Sequence, residues 1–357
     1  MSKLKVAIVG CGYWGQNLVR NFSELDEAEV KAVCDFDLTA LARIKRRYPT
    51  VELKPNFQDV VNDPRIDAIV LATPVSTHYP FARKALLAGK HVLVEKPLAT
   101  STTQVLDLIE VSEKMGKTLM VDHTFLYTSA VRRMKSLIDA GDIGDLLYFD
   151  SVRISLGLVQ SDINVLWDLG PHDFAIMSYL CDRDPVSISA TGMKHLGCPF
   201  ENIAYVSVQF DNTLIAHFHL NWLSPVKVRR TLVGGSQKMI VYDDMENSEK
   251  VRVYDKGISM NHDPEHRERL LTGYRNGDML APNLDTGEAL RSMAREFVQC
   301  AMEKRAPVSD GYFGYRVVRL LEAAQRSMQL NGRPVTLQPS AISTGEGAFS
   351  SLAELSA

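Results

Sequence analysis

Lys5-Val6-Ala7-Ile8-Val9-Gly10-Cys11-Gly12-Tyr13-Trp14-Gly15 is the stretch that decides the fold. An apolar, β-rich run leads into glycines at G-x-G-x-x-G spacing, and a helical pattern follows. Gly10 permits a tight turn, Gly12 lets a pyrophosphate approach the backbone, and Gly15 lets helix pack on strand. The helix N-terminus then offers free N–H groups to phosphate, with Tyr13 and Trp14 in its first turn. A second apolar run, Glu29 to Cys34, ends at Asp35, 20 residues after Gly15. That is where an acidic residue meets the adenosine ribose. Strand, glycine turn, helix, strand and acid together predict a dinucleotide-binding half. The Asp35 carboxylate accepts from a ribose diol and repels a 2′-phosphate, and Phe36-Asp37 adds no arginine, so NAD is favoured over NADP. Arg43, Lys45, Arg46 and Arg47 read either as a phosphate clamp or as a solvated helix face.

Working outward, the buried-strand runs Ala68–Ala72, His91–Val94 and Thr118–Val121 alternate with helical stretches at 16–24 and 77–88. Ser101-Thr102-Thr103-Gln104 has capping-box spacing ahead of Val105, Leu108, Ile109 and Val111. This alternation predicts an α/β fold with a doubly wound parallel sheet, a Rossmann domain over 1–122. The pattern then changes. Helices are expected at 129–140 and 165–181. Strands follow at 146–154, 186–192, 204–210, 214–222 and 228–233. Ala216, Phe218 and Leu220 alternate with His217, His219 and Asn221, the period of an antiparallel sheet with one wet face. Residues 244–288 read as strand edge and long loop, and helices are expected at 289–304 and 314–331. The second domain is therefore expected over 123–337, with a flexible tail at 338–357.

The length of 357 residues suits two domains. With 45% hydrophobic and 23% charged residues the chain has an ordinary globular balance. Its net charge, 40 − 43 = −3, argues against a nucleic-acid binder. No apolar run reaches membrane-spanning length, and Met1–Gly10 lacks a signal-peptide core, so no membrane partner is expected. Cys11, Cys34, Cys181, Cys198 and Cys300 have no paired spacing, which suits a reduced, cytoplasmic protein. His217-x-His219 and His262-x-x-x-His266 lack a third ligand nearby, so no metal is expected.

Two further clusters carry chemistry. Glu95-Lys96-Pro97 sits at the carboxyl end of a strand, the edge where open α/β sheets bind ligands. Trp167-Asp168-Leu169-Gly170-Pro171-His172-Asp173 puts Asp168 and His172 one helical turn apart, where a carboxylate can orient an imidazole and raise its basicity. Joined with the glycine motif, with Ala72-Thr73-Pro74 and His78, and with Glu288-Ala289-Leu290, Asp310-Gly311 and Leu321-Glu322-Ala323-Ala324, these stretches resemble the Gfo/Idh/MocA oxidoreductases from Val6 to about Leu337.

The resemblance implies a Rossmann domain followed by an α/β domain whose open, mainly antiparallel sheet pairs subunits into a homodimer or homotetramer. It implies that Lys96 hydrogen-bonds the reacting oxygen, that His172 is the general acid/base and that Asp168 is its catalytic neighbour. It places Thr73, Pro74, His78 and Glu95 around the cofactor. The implied reaction is hydride transfer between a secondary alcohol and nicotinamide. Where the family commonly shows N-x-x-R, this chain has His123-Thr124-Phe125-Leu126. Tyr127, Arg132 or Arg153 are the candidates to replace the lost contacts. The substrate class implied is a sugar or nucleotide sugar. Tyr274-Arg275-Asn276-Gly277-Asp278 with Pro282 is similar to members that oxidise C3 of UDP-N-acetyl-hexosamines. A diphosphate needs cations, for which Arg153, Lys227, Arg229 and Arg230 are candidates, and the same residues read equally as cross-strand pairs. An inositol-type cyclitol needs no such clamp. Trp167 and Trp222 read as pocket wall or as core. A non-catalytic dinucleotide sensor and an NAD-dependent glycosidase are the remaining alternatives.

Overall fold

The computed structural model describes residues 3–157, 162–211, 213–260 and 272–338. The expected tail beyond Gln338 and the His262/His266 pair lie outside them. The chain divides into two compact units. The first comprises Met1–Arg132, Phe174–Ile176 and Leu284–Glu322, and the second the remainder, so late sequence returns to the first unit.

The first unit is built on six strands: β1 (Leu4–Val9), β2 (Ala28–Cys34), β3 (Glu52–Lys54), β4 (Ala68–Leu71), β5 (His91–Glu95) and β6 (Leu119–Asp122). Their order is β3-β2-β1-β4-β5-β6, and all pairs are parallel. β4 and β6 are buried at every residue, as continuous apolar strands covered on both faces must be. Helices α1 (Tyr13–Ser23), α2 (Leu38–Arg47), α3 (Phe57–Val61), α4 (Val75–Leu87) and α5 (Thr102–Met115) make the crossovers. The capping box forms with a one-residue offset. Ser101 Oγ accepts from Gln104 N at 3.2 Å, while Gln104 Oε1 accepts from the Thr100 hydroxyl at 2.9 Å. β3 was not foreseen from the sequence. It has one apolar residue, Leu53, and owes its place to its register with Ala32–Cys34. After β6 come a 3-10 turn at Thr124–Tyr127 and α6 (Ser129–Asp139).

The second unit holds a nine-stranded sheet from β7 (Leu146–Leu156), β8 (Ser187–Met193), β9 (Ile203–Gln209), β10 (Ile215–Asn221), β11 (Leu223–Gly235), β12 (Met239–Asp243), β13 (Val251–Met260), β14 (Thr272–Leu280) and β15 (Val335–Thr336). The order is β14-β13-β12-β11-β7-β10-β9-β8-β15, with β7 and β10 the one parallel pair. Ala216, Phe218 and Leu220 are buried and His217 is exposed, which is the expected alternation. β11 starts five residues before the expected strand. Pro225 cannot donate to the ladder, and the register slips between Leu223 and Val228. Residues 244–288 were expected to be mostly loop, and that expectation is corrected. They hold the β13–β14 hairpin, whose residues 275–280 are all exposed. A strand solvated on both faces shows no alternation to read. Helix α7 (Val165–Cys181) belongs mostly to this unit, α8 (Ala289–Glu303) belongs to the first, and α9 (Gly311–Gln329) starts in the first and ends in the second.

Candidate active site

In the first unit the ligand edge lies at the carboxyl ends of β1, β2, β4, β5 and β6. Gly10 adopts φ +94°, and a Cβ there would sit 2.3 Å from the Ala72 carbonyl oxygen. A Cβ on Gly15 would meet the Gly10 carbonyl oxygen, so helix and turn touch at that point. Gly12 differs, because its Cβ would meet nothing within 4 Å. It is the N-cap of α1, has no side chain to satisfy the first-turn N–H groups, and is followed by no acid in that turn. Those N–H groups and the open approach suit a pyrophosphate. Asp35 braces the loop, accepting from Cys11 N at 2.6 Å and Asp37 N at 2.9 Å. An ionised carboxylate has about four acceptor positions, which leaves two for ribose hydroxyls. The residues therefore fit NAD. Tyr13 and Trp14 stand exposed beside the loop in an edge-to-face pair, ring centroids 5.3 Å apart. Burial and the Asp35 charge push the Cys11 thiol up to about 12, so this buried cysteine is not a nucleophile.

Thr73, Pro74 and His78 form one bolted turn. His78 is buried, with Nε2 2.8 Å from the Thr73 carbonyl oxygen and Nδ1 2.8 Å from that of Pro97. It therefore ties the end of β4 to the segment after β5. Burial holds its pKa below the usual imidazole value, against the pull of the two carbonyls. Glu95 ends β5 and Asp122 ends β6, and the two are register partners. Burial and mutual repulsion raise the Glu95 carboxyl well above its usual range. Asp122 is raised as well, chiefly by burial, although Thr124 Oγ1 donates to it at 2.5 Å. His123 stands where the family's Asn was expected. It is buried against Phe313 at 5.6 Å, and neither ring nitrogen meets a partner among the described residues. Burial, reinforced by the Lys96 charge, lowers its pKa to about 3, so it is neutral.

In the second unit, Asn164 caps α7 by accepting from Trp167 N at 3.1 Å. One turn on, Asp168 accepts from Trp222 Nε1 at 3.1 Å. Trp222 is thus a buried core residue with a polar task, and its ring leaves no room for a Cβ on Gly157. Trp167, Asp168 and His172 are half-buried on the same helix. Next to His172, Asp173 is buried and receives Arg153 Nε at 2.7 Å and Nη2 at 3.1 Å, with Ser151 Oγ at 3.0 Å.

Of the other substrate candidates, Arg153, Tyr127, Arg229 and Arg230 are engaged within the protein, and Lys227 is exposed. Arg153 is held by Asp173. Tyr127 is buried, its hydroxyl 2.9 Å from Ser309 Oγ and its ring under Arg132. Arg229 pairs with Asp244 at 3.2 Å and Arg230 with Asp243 at 2.8 Å, the cross-strand reading of those residues. Among the described residues no group of three His, Cys, Asp or Glu could hold a metal. His217 and His219 instead stack on Tyr205. No described helix is long and apolar enough to cross a membrane. Sequence reasoning missed Asp122, Asp173 as the anchor of Arg153, and the Trp222 link to Asp168.

The family description "oxidoreductase family, NAD-binding Rossmann fold" fits residues 4–123, and "GFO/IDH/MocA C-terminal domain" fits residues 131–241. The chain belongs to the Gfo/Idh/MocA oxidoreductase family. Residues 4–123 form that family's NAD-binding Rossmann domain, in the α/β fold described above. Glycosyl hydrolase family 109 protein 2 of Shewanella sp. (strain ANA-3) is 30% identical over 163 residues, covering 43% of this chain and 36% of that protein. Inositol 2-dehydrogenase 2 of Saccharopolyspora erythraea is 26% identical, covering 59% of this chain and 65% of that one. This chain therefore matches less than two thirds of either relative. The solved UDP-N-acetylglucosamine 3-dehydrogenase GnnA from Acidithiobacillus ferrooxidans is similar in fold, with TM-score 0.78, 21% identity, and coverage of 92% of this chain and 99% of that one.

Proposed function

We propose that the protein is an NAD-dependent dehydrogenase acting on a secondary alcohol of a sugar or cyclitol. The observation that carries this reading is Lys96, which directly follows β5 on the edge that also bears the open Gly12 turn and Asp35. When bound, NAD supplies the hydride acceptor. Lys96 donates a hydrogen bond to the reacting oxygen, and His172 takes the hydroxyl proton. Asp168, held by Trp222, orients the imidazole. The UDP-N-acetyl-hexosamine reading needs cations for a diphosphate, and of the four candidates Arg153, Arg229 and Arg230 are each occupied by a carboxylate, which leaves the exposed Lys227 as the fourth. An uncharged polyol asks for no such clamp, so the geometry favours the cyclitol or free-sugar alternative.

The test is NADH absorbance with UDP-GlcNAc, its uronic acid and myo-inositol, run beside an aryl-glycoside hydrolysis assay. NADH accumulation with one of the polyols is expected. Hydrolysis without net NADH would instead support the glycosidase reading, which the Shewanella relative's name favours. Lys96→Ala and His172→Ala should keep NAD binding and lose about 10²- to 10⁴-fold in turnover. Unchanged turnover in either variant removes the role given to that residue.

A further inference from the structure

Resting on the dehydrogenase reading above, we propose that Trp14 is an aromatic wall for the nicotinamide ring, and that it grips the oxidised, cationic ring more tightly than the reduced, neutral one. Helix α1 opens with Tyr13 and Trp14, which are 78% and 50% exposed, although Leu18, Val19 and Phe22 of the same helix are buried. One exposed ring needs no explanation, but two together on the helix end that suits a pyrophosphate do. The pair is edge-to-face, with ring planes 84° apart and centroids 5.3 Å apart. That arrangement leaves each ring at least one face that its neighbour does not cover.

The placement of Trp14 selects the nicotinamide end of the cofactor. In the strand order β2-β1-β4-β5, Asp35 follows β2 and Lys96 follows β5, so the adenosine side and the chemical side flank β1 oppositely. The first turn of α1 lies on the β4 side. A Cβ on Gly15 would come 3.8 Å from the Ala72 Cβ, and one on Gly10 2.3 Å from the Ala72 carbonyl oxygen, and Ala72 directly follows β4. On the helix, Trp14 shares its stripe with Leu18 and Asn21. Asn21 Nδ2 donates to Glu288 Oε1 at 3.2 Å, at the N-cap of α8, and Phe22 meets Phe297 of α8 edge-to-face. Helix α8 in turn packs against the 3-10 turn that follows β6. The stripe of Trp14 therefore faces the β4–β5–β6 half of the ligand edge, away from Asp35. With no acid in the first turn of α1, an aromatic face is what this turn offers a cation, and tryptophan is the side chain that holds one best in this way. The oxidised nicotinamide ring carries one positive charge. In the proposed reaction, hydride arriving from the alcohol carbon removes that charge while the hydroxyl proton goes to His172. Trp14 thus favours the cofactor that awaits hydride and relaxes its hold once hydride has arrived.

Equilibrium titrations of wild type, Trp14→Ala and Trp14→Phe with NAD⁺, NADH and ADP-ribose test this without turnover. Trp14→Ala should weaken NAD⁺ about two- to thirtyfold more than NADH, the range of a cation–π contact, with Trp14→Phe in between. ADP-ribose keeps the adenosine and pyrophosphate but has no nicotinamide, so its Kd should stay within about twofold of wild type in both variants. Wild type with NAD⁺ should also show a long-wavelength charge-transfer absorption that NADH does not produce and that Trp14→Ala abolishes. Trp14 is half exposed, so both variants should fold and melt like wild type. Equal weakening of NAD⁺ and NADH, or unchanged affinity for both, overturns the grip on the oxidised ring. Absence of the charge-transfer band in the wild type overturns the stacking. An ADP-ribose affinity that falls as far as that for NAD⁺ overturns the place of Trp14 at the nicotinamide. Intact cofactor affinities beside a raised KM for the polyol also overturn it, and make Trp14 a substrate wall instead. Failure of the dehydrogenase reading would show separately, as no NADH formed from any polyol while the titrations still follow Trp14.

Discussion

Replacing Arg153 by Leu separates two roles this residue could have. Arg153 and Asp173 are 5% and 2% exposed, and two hydrogen bonds of 2.7 and 3.1 Å join them. Burial works against the Arg153 charge, and Asp173 more than offsets it, so the arginine stays ionised. Leucine would leave Asp173 buried and charged, with Ser151 as its remaining donor of those three contacts. Breaking a buried pair from one side costs about 3–5 kcal/mol. At about 2–4 °C per kcal/mol for a unit of this size, the melting temperature should fall by about 6–20 °C. Calorimetry of wild type, Arg153→Leu, Asp173→Leu and the double variant supplies the cycle. The double variant should recover most of the loss, because no uncompensated charge remains. Because Asp173 neighbours His172 on α7, kcat should fall with stability in the single variants. A melting temperature within about 2 °C of wild type, joined to a raised KM for the sugar, would refute this reasoning and make Arg153 a substrate contact.

Two further outcomes follow from the geometry. Gly15→Ala forces a Cβ onto the Gly10 carbonyl and should cost at least about 1–3 kcal/mol of stability, read by thermal melting. Gly12→Ala enters open space, so it should melt like wild type while its Kd for NAD rises about tenfold or more, about 1.4 kcal/mol; unchanged affinity would mean that the pyrophosphate lies elsewhere. Trp222→Phe keeps the ring against Gly157 and removes the donor at 3.1 Å from Asp168. It should lower kcat about tenfold at unchanged NAD affinity, and an unaltered kcat would detach Asp168 from catalysis.

What the sequence makes legible is what lies close together along it. The glycine turn, its helix and Asp35 fall within one strand–helix–strand unit, and each glycine's duty can be argued from spacing. Arg153 and Asp173 are 20 residues apart, Asp168 and Trp222 are 54 apart, and Glu95 and Asp122 are 27 apart. Those pairs exist because of strand register and helix docking, which no local period encodes. Strand β14 failed for another reason, since water on both faces of residues 275–280 erases the apolar alternation. Yet the parallel order β3-β2-β1-β4-β5-β6 holds one readable signal, the residue that ends each strand. Neighbouring strands are about 4.8 Å apart, so Asp35 after β2 and Glu95 at the end of β5, three strands distant, are separated by about 14 Å. These acids cannot serve one chemical group, and that span suits the two ends of a dinucleotide. Glu95 and Asp122, one strand apart at the same level, have the opposite fate. At that spacing the two carboxyl groups penalise each other's charge, and burial together with that repulsion raises Glu95 while burial chiefly raises Asp122 above their usual ranges.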